Sequence, residues 1–155
     1  MKKNNSILDL FLYFIGIILT IGLFLFSNSL SLPFIVEFNS GEGNLIQRML
    51  DIIFSNEGSL KIGTSLVLPL ILHTIGIGFL SFLMFKLGKY IISNEETIIN
   101  RIIFGVFLLL AIFVLVKAFI DSWTLFILVM IFMFIAMFIL ILIGSLLSGS
   151  SDSRA

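Results

Sequence analysis

The chain predicts an all-α integral membrane protein, and three observations carry that reading. Of its 155 residues, 59% are hydrophobic and only 12% charged, where soluble domains carry about 25% charged residues. Its mean hydropathy is +1.23, more apolar surface than a small soluble fold can hide. Four stretches, 7–26, 63–85, 102–120 and 123–147, are each long enough to cross a hydrocarbon core of roughly 30 Å at about 1.5 Å per residue. The expected architecture is a single domain of four transmembrane helices in an up-down bundle, with a short amphipathic helix in the first extracytoplasmic loop. The spans are placed at about 7–27, 62–86, 101–120 and 123–148, the extracytoplasmic loop at 28–61 and the cytoplasmic loop at 87–100.

The first span follows MKKNN. Its 20 apolar residues exceed the usual 7–15 of a signal-peptide core, and no Ala-x-Ala site follows, so it reads as an uncleaved helix. Asp9, Tyr13, Gly16, Thr20 and Ser27 fall on one helical face. Small and polar groups face protein rather than lipid, which makes the stripe a packing seam or, in an oligomer, a polar conduction path. Pro33 lacks a backbone donor and is expected to mark the break after this span.

In the loop that follows, Leu45, Ile46, Met49, Leu50 and Ile53 line one face of a short helix, with Asn44 as its N-cap. Such a helix lies in the membrane interface, caps the bundle, or docks on a partner.

The second span is two-sided. Leu68, Ile71, Leu72, Ile75, Phe79 and Phe82 form its lipid face, and Ser65, Pro69, His73, Thr74, Gly76 and Ser81 lie on the other half. Pro69 should kink the helix or loosen its ladder, and Gly76 and Gly78 admit a close neighbour. His73 is the only ionisable group of this span and the only histidine of the chain, and an ionisable group at membrane depth is a functional-site candidate by default. Counted from the span ends, it lies level with Thr20, so a hydrogen bond from a neutral imidazole to Thr20 is expected. Proton relay or ion-path duty is one alternative. Axial ligation of a b-type haem is another, with Met133, Met137 or a partner chain's His supplying the second ligand.

The third and fourth spans are joined by Asp121 and Ser122 alone, which implies an antiparallel hairpin. Lys117 is placed to snorkel near the interface and to pair with Asp121. Met130, Met133, Met137, Gly144 and Ser148 share a face that reads as packing against the bundle rather than a soft-metal path. The mixed charges of the 87–100 connection suit a solvated linker, or else a docking patch, and the tail from residue 148 carries no functional signal.

Lys2, Lys3, Lys86, Lys89, Arg101 and Arg154 fall on one side of these spans and Arg48, Lys61 and Lys117 on the other. Positively charged loops stay inside, so both termini are expected in the cytoplasm, in a bacterial inner membrane.

The function classes that composition excludes are many. Net charge is zero and no basic run exists, so nucleic acid is not an expected partner. No cysteine is present, which removes disulfides and thiol chemistry. There is no HExxH, phosphate loop or dinucleotide fingerprint, no paired intramembrane carboxylates, and no Ser-His-Asp set at compatible depth. The expectation is a non-catalytic membrane protein without cofactor, a subunit or scaffold of a larger complex that contacts lipid and other membrane chains or its own copies. A small oligomeric channel or transporter subunit is the alternative, its path lined by Asp9, Tyr13, Thr20, His73 and Thr74. A haem-bearing anchor of a redox complex is the second.

Overall fold

A computed structural model describes residues 5–92 and 97–149, with side chains for 8–92 and 97–145. The expectations for Lys2, Lys3, Glu95, Glu96, Ser148 and the tail lie outside these side chains. The described residues are helical almost throughout: α1 (Asn5–Ser40), α2 (Leu45–Ile53), α3 (Gly58–Ile62), a π-helical turn (Gly63–Val67), α4 (Leu68–Ile92), α5 (Ile98–Asp121) and α6 (Trp123–Gly149). Four helical stretches, Leu8–Ser40, Gly58–Ile92, Ile98–Asp121 and Trp123–Ser145, are long and apolar enough to cross a membrane. Their exposed faces are apolar as well, for instance Phe11, Leu19, Ile71, Phe82, Leu109 and Phe113, the pattern of helices whose outer surroundings are lipid. This is the signature of a multi-pass membrane protein.

The buried residues of α1 are Tyr13, Ile17, Thr20, Phe24, Ser27, Ser31, Phe34 and Phe38, spaced alternately four and three apart. Along the π turn and α4 they are Leu66, Pro69, His73, Gly76, Leu80, Leu83 and Leu87, spaced alternately three and four apart. That seven-residue period is the seam of helices that coil around one another. The two seams run antiparallel. Asp9 meets Tyr90, Gly16 lies against Leu83, Phe24 against Gly76, Ser27 against Pro69 and Glu37 against Lys61. α5 packs beside both and runs parallel to α1, with Phe104 against Tyr13, Phe107 against Phe14 and Ser122 against Asn28.

Pro33 does not end the first helix. Its ring faces outward and removes one bond, to the exposed Ser29 turn, at a cost of about 3 kcal/mol. Phe34 and Phe38, just beyond it, are 2% and 4% exposed, and burying two phenylalanines is worth roughly 3–6 kcal/mol. The longer helix wins, and the loop expected over 28–61 shrinks to residues 41–44 and 54–57 around α2 and α3. α2 starts where expected: Asn44 accepts from the Gln47 backbone N–H at 2.9 Å, and the Gln47 side chain accepts from the Asn44 backbone N–H at 3.1 Å. At Pro69 the second span loosens its ladder, the second of the two outcomes expected there. The π turn just before it widens the helix, with the Leu68 N–H reaching back five residues to the Gly63 carbonyl, which makes room where a proline ring crowds an α-helical turn.

The expected hairpin between α5 and α6 is not formed. Ser122, the single residue between them, has φ −99° and ψ 4°, and the helical bonding crosses it, from the Ser122 N–H to the Ala118 carbonyl (3.1 Å) and from the Phe126 N–H to the Ser122 carbonyl (3.0 Å). A reversal needs about two to five loop residues. α6 therefore continues in the direction of α5. It places Leu125, Leu128 and Ile135 in a second core with Phe34, Phe38, Met49, Ile52 and Leu66, separate from the first around Tyr13, Ile17, Phe24, Leu80, Leu83, Phe104 and Ala111. The methionine face expected to pack does not: Met130, Met133 and Met137 are 72%, 63% and 63% exposed. The buried side is instead the one that carries Leu125, Leu128 and Ile135.

Candidate functional site

The most polar part of the interior lies where the two cores meet. α4 brings in His73, fully buried, at the centre of its seam. α1 supplies Ser27 and Asn28, and the α5–α6 junction supplies Ser122. The Ser122 hydroxyl lies 2.7 Å from His73 Nε2 and 3.3 Å from Nδ1, and Ser27 Oγ lies 3.3 Å from Nδ1. Ser27 donates its own proton to the Pro69 carbonyl at 2.8 Å, so towards the imidazole it acts as acceptor. The Ser122 hydroxyl in turn donates to Asn28 Oδ1. Asn28 Oδ1, 3.3 Å from Ser122 Oγ, completes the cluster. Phe24 lies over the ring at 4.7 Å and Phe126 meets it edge-on at 5.9 Å.

The partner expected for His73 is thus replaced. Thr20 is buried, but its hydroxyl donates to the Gly16 carbonyl of its own helix at 2.8 Å. The level was misjudged because both helices overrun the expected span ends, and register is set instead where Gly76 meets Phe24 and Gly16 meets Leu83. Ser122, read as a turn residue, and Asn28 carried no signal in the sequence. Ser27 was visible only as a member of the stripe.

The remaining candidates separate into three places. Asp9 and Tyr13 lie at the opposite end of the seam. There the Tyr90 hydroxyl donates to Asp9 Oδ2 at 2.8 Å, Tyr90 stacks on Phe104 at 4.8 Å, and Tyr13 meets Tyr90 edge-on at 6.1 Å. Gly16 and Gly76 are buried contact points. Thr74 is not on the protein side: it is exposed, its hydroxyl folded back on the Leu70 carbonyl at 2.8 Å, and Ser81 is exposed as well. Of the α2 candidates, Met49 is buried, Leu50 and Ile53 are half-buried, and Leu45 and Ile46 are exposed. Ile52, unnamed by the face pattern, is the second buried residue of this helix.

This arrangement ties helices together. Between the Asp9–Tyr90 pair and His73 the seam is filled by Ile17, Leu80 and Leu83, so no continuous polar line joins the two within one chain. A b-type haem does not fit the residues present. Both ring nitrogens of His73 are engaged, and Met133 and Met137 lie exposed 11 and 15 residues beyond Ser122. No group of three His, Cys, Asp or Glu placed to hold a metal occurs among the described residues. No family model, curated protein or solved structure matches the chain.

Proposed function

We propose that the protein is a non-catalytic subunit or scaffold of a membrane complex, working through helix contacts with other membrane chains or with its own copies. The observation that carries this reading is α6. It is the most apolar of the four candidate spans, yet only 11% of its most apolar window is buried within the chain. Met130, Met133, Phe134, Met137, Phe138 and Leu140 are all more than half exposed. A methionine- and phenylalanine-rich face is adaptable packing surface. The polar cluster at His73 supports the same reading, because its groups bond to one another and tie three helices together.

Length argues for a rearrangement in the bilayer. α5 and α6 together with Ser122 make a rod of about 78 Å, while a hydrocarbon core is roughly 30 Å. In one bilayer the first turn of α6, after Ser122, unwinds to supply the two to five loop residues that a reversal needs, and α6 then turns back to complete an up-down four-helix bundle, with both termini in the cytoplasm of a bacterial cell and α2 at the outer interface. The distribution of lysine and arginine supports this orientation.

Native mass spectrometry on protein extracted gently from its own membrane tests the functional reading. A defined heteromer or homo-oligomer is expected. A monomer that carries no second chain, in lipid as in mild detergent, refutes it.

A further inference from the structure

The described lysines divide into two kinds. Lys61 pairs with Glu37 at 2.9 Å and Lys117 with Asp121 at 2.7 Å. Lys86 and Lys89 have no carboxylate within salt-bridge distance among the described residues, although they stand three residues apart on the last turns of α4. They line a cavity of about 510 Å³ together with Tyr90 and Ile92. The Lys86 ammonium lies 5.5 Å from the centroid of the Phe82 ring, so its stem runs back along apolar surface with the charged head at the boundary. Apolar side chains surround this end: Phe82, Phe85 and Ile92 are all more than half exposed.

Among the described residues, the other charged groups towards this end are Asp9 of α1 and Arg101 of α5. Asp9 accepts the Tyr90 hydroxyl. Arg101 lies one turn before Phe104, the ring that stacks on Tyr90, and its Nε is buried without a hydrogen-bond partner.

We propose that this cleft binds the phosphate headgroup of an anionic phospholipid. Lys86 and Lys89 hold the phosphate, and the acyl chains lie along Phe82, Phe85 and Ile92. The apolar wall selects a lipid over free phosphate, which gains nothing from it. Basic pockets at the ends of membrane helices bind such headgroups. The inference rests on membrane placement alone and stands or falls apart from the subunit role.

The test uses the full chain in nanodiscs of phosphatidylcholine with 20% phosphatidylglycerol (about one lipid in five, enough to compete), followed by native mass spectrometry of the retained lipid. Wild type is expected to retain phosphatidylglycerol well above its share. Each lysine is worth about fivefold, so Lys86→Gln with Lys89→Gln should lower retention by about 25-fold. Lys61→Gln with Lys117→Gln makes the same change of charge elsewhere and should leave retention unchanged. Excess inorganic phosphate should not displace the lipid. Retention in proportion to the bilayer, equal losses in the two double variants, or displacement by phosphate each overturns the proposal.

Discussion

Replacing Gly76 by alanine probes the α1–α4 seam at its tightest point. A Cβ built at Gly76 falls 2.6 Å from Phe24 Cε1 and 3.2 Å from both Cδ1 and Cζ. The ring has little room to retreat, because Phe24 is 5% exposed and its other neighbours include the His73 imidazole at 4.7 Å. Overpacking of this kind costs about 1–3 kcal/mol, and with a rigid ring as the obstacle the upper half of that range is expected. Two internal comparisons calibrate the figure. At Gly16 the added Cβ meets Leu83 Cδ1 at 2.8 Å, the far end of a flexible side chain, so Gly16→Ala should cost about 1 kcal/mol or less. At Gly78 nothing lies within 4 Å, and Gly78→Ala should be neutral or slightly stabilising. The assay is reversible unfolding in lipid–detergent bicelles, followed by the fluorescence of Trp123, the single tryptophan. Phe24→Leu in the Gly76→Ala background should recover part of the loss. If Gly76→Ala is no less stable than Gly78→Ala, the seam register described above is wrong.

Three further outcomes are expected. A double-mutant cycle between His73→Ala and Ser122→Ala should give a coupling of about 0.6–1.7 kcal/mol by the same unfolding assay, the range for hydrogen bonds between membrane helices, whereas His73 and Thr20 should show none. The chain contains no cysteine, so Ser145→Cys offers a unique label site: with α6 turned back it should resist a membrane-impermeant maleimide in intact cells and react in inverted vesicles, and the extended rod gives the opposite. Asn44→Ala removes the side-chain half of the α2 capping box, the bond from the Gln47 backbone N–H to Asn44 Oδ1, and should destabilise that helix by about 0.5–2 kcal/mol, seen as faster hydrogen exchange in residues 45–53 with the α1–α4 seam unaffected.

Hydropathy made the four long helices legible, because twenty apolar residues without charge have one common use. Spacing made the α1 stripe legible too: Tyr13, Gly16, Thr20 and Ser27 are all buried. Where two helices meet was not legible, since that depends on which side chains fit side by side. Counting from span ends put His73 beside Thr20, seven residues short of Ser27. Pro33 misled because a local cost was weighed without the two phenylalanines beyond it. Thr74 misled because one helical face was drawn too wide: it neighbours His73 in sequence but lies about 100° round the helix. The methionines of α6 share a face as read, but periodicity does not say what that face meets. Of the site itself, His73 was visible in advance as a site residue and Ser27 only as a member of the stripe, and the main partner of His73, Ser122, belongs to a residue pair that looked like a turn.

α1 is unbroken for 36 residues, about 54 Å. Its seam keeps one period from Tyr13 to Phe38, so the end that holds Asp9 and the end that holds Glu37 belong to a single stiff body. Such a body acts as a lever. Pivoted at the Asp9–Tyr90 contact, a tilt of about 10° moves the far end, about 47 Å away, sideways by about 8 Å, close to the distance between two packed helices. Because α4 is held to α1 along the seam, at Gly16–Leu83, Phe24–Gly76, Ser27–Pro69 and Glu37–Lys61, an event at one face of the membrane that changes the tilt of α1 has to carry α4 with it to reach α2 at the other.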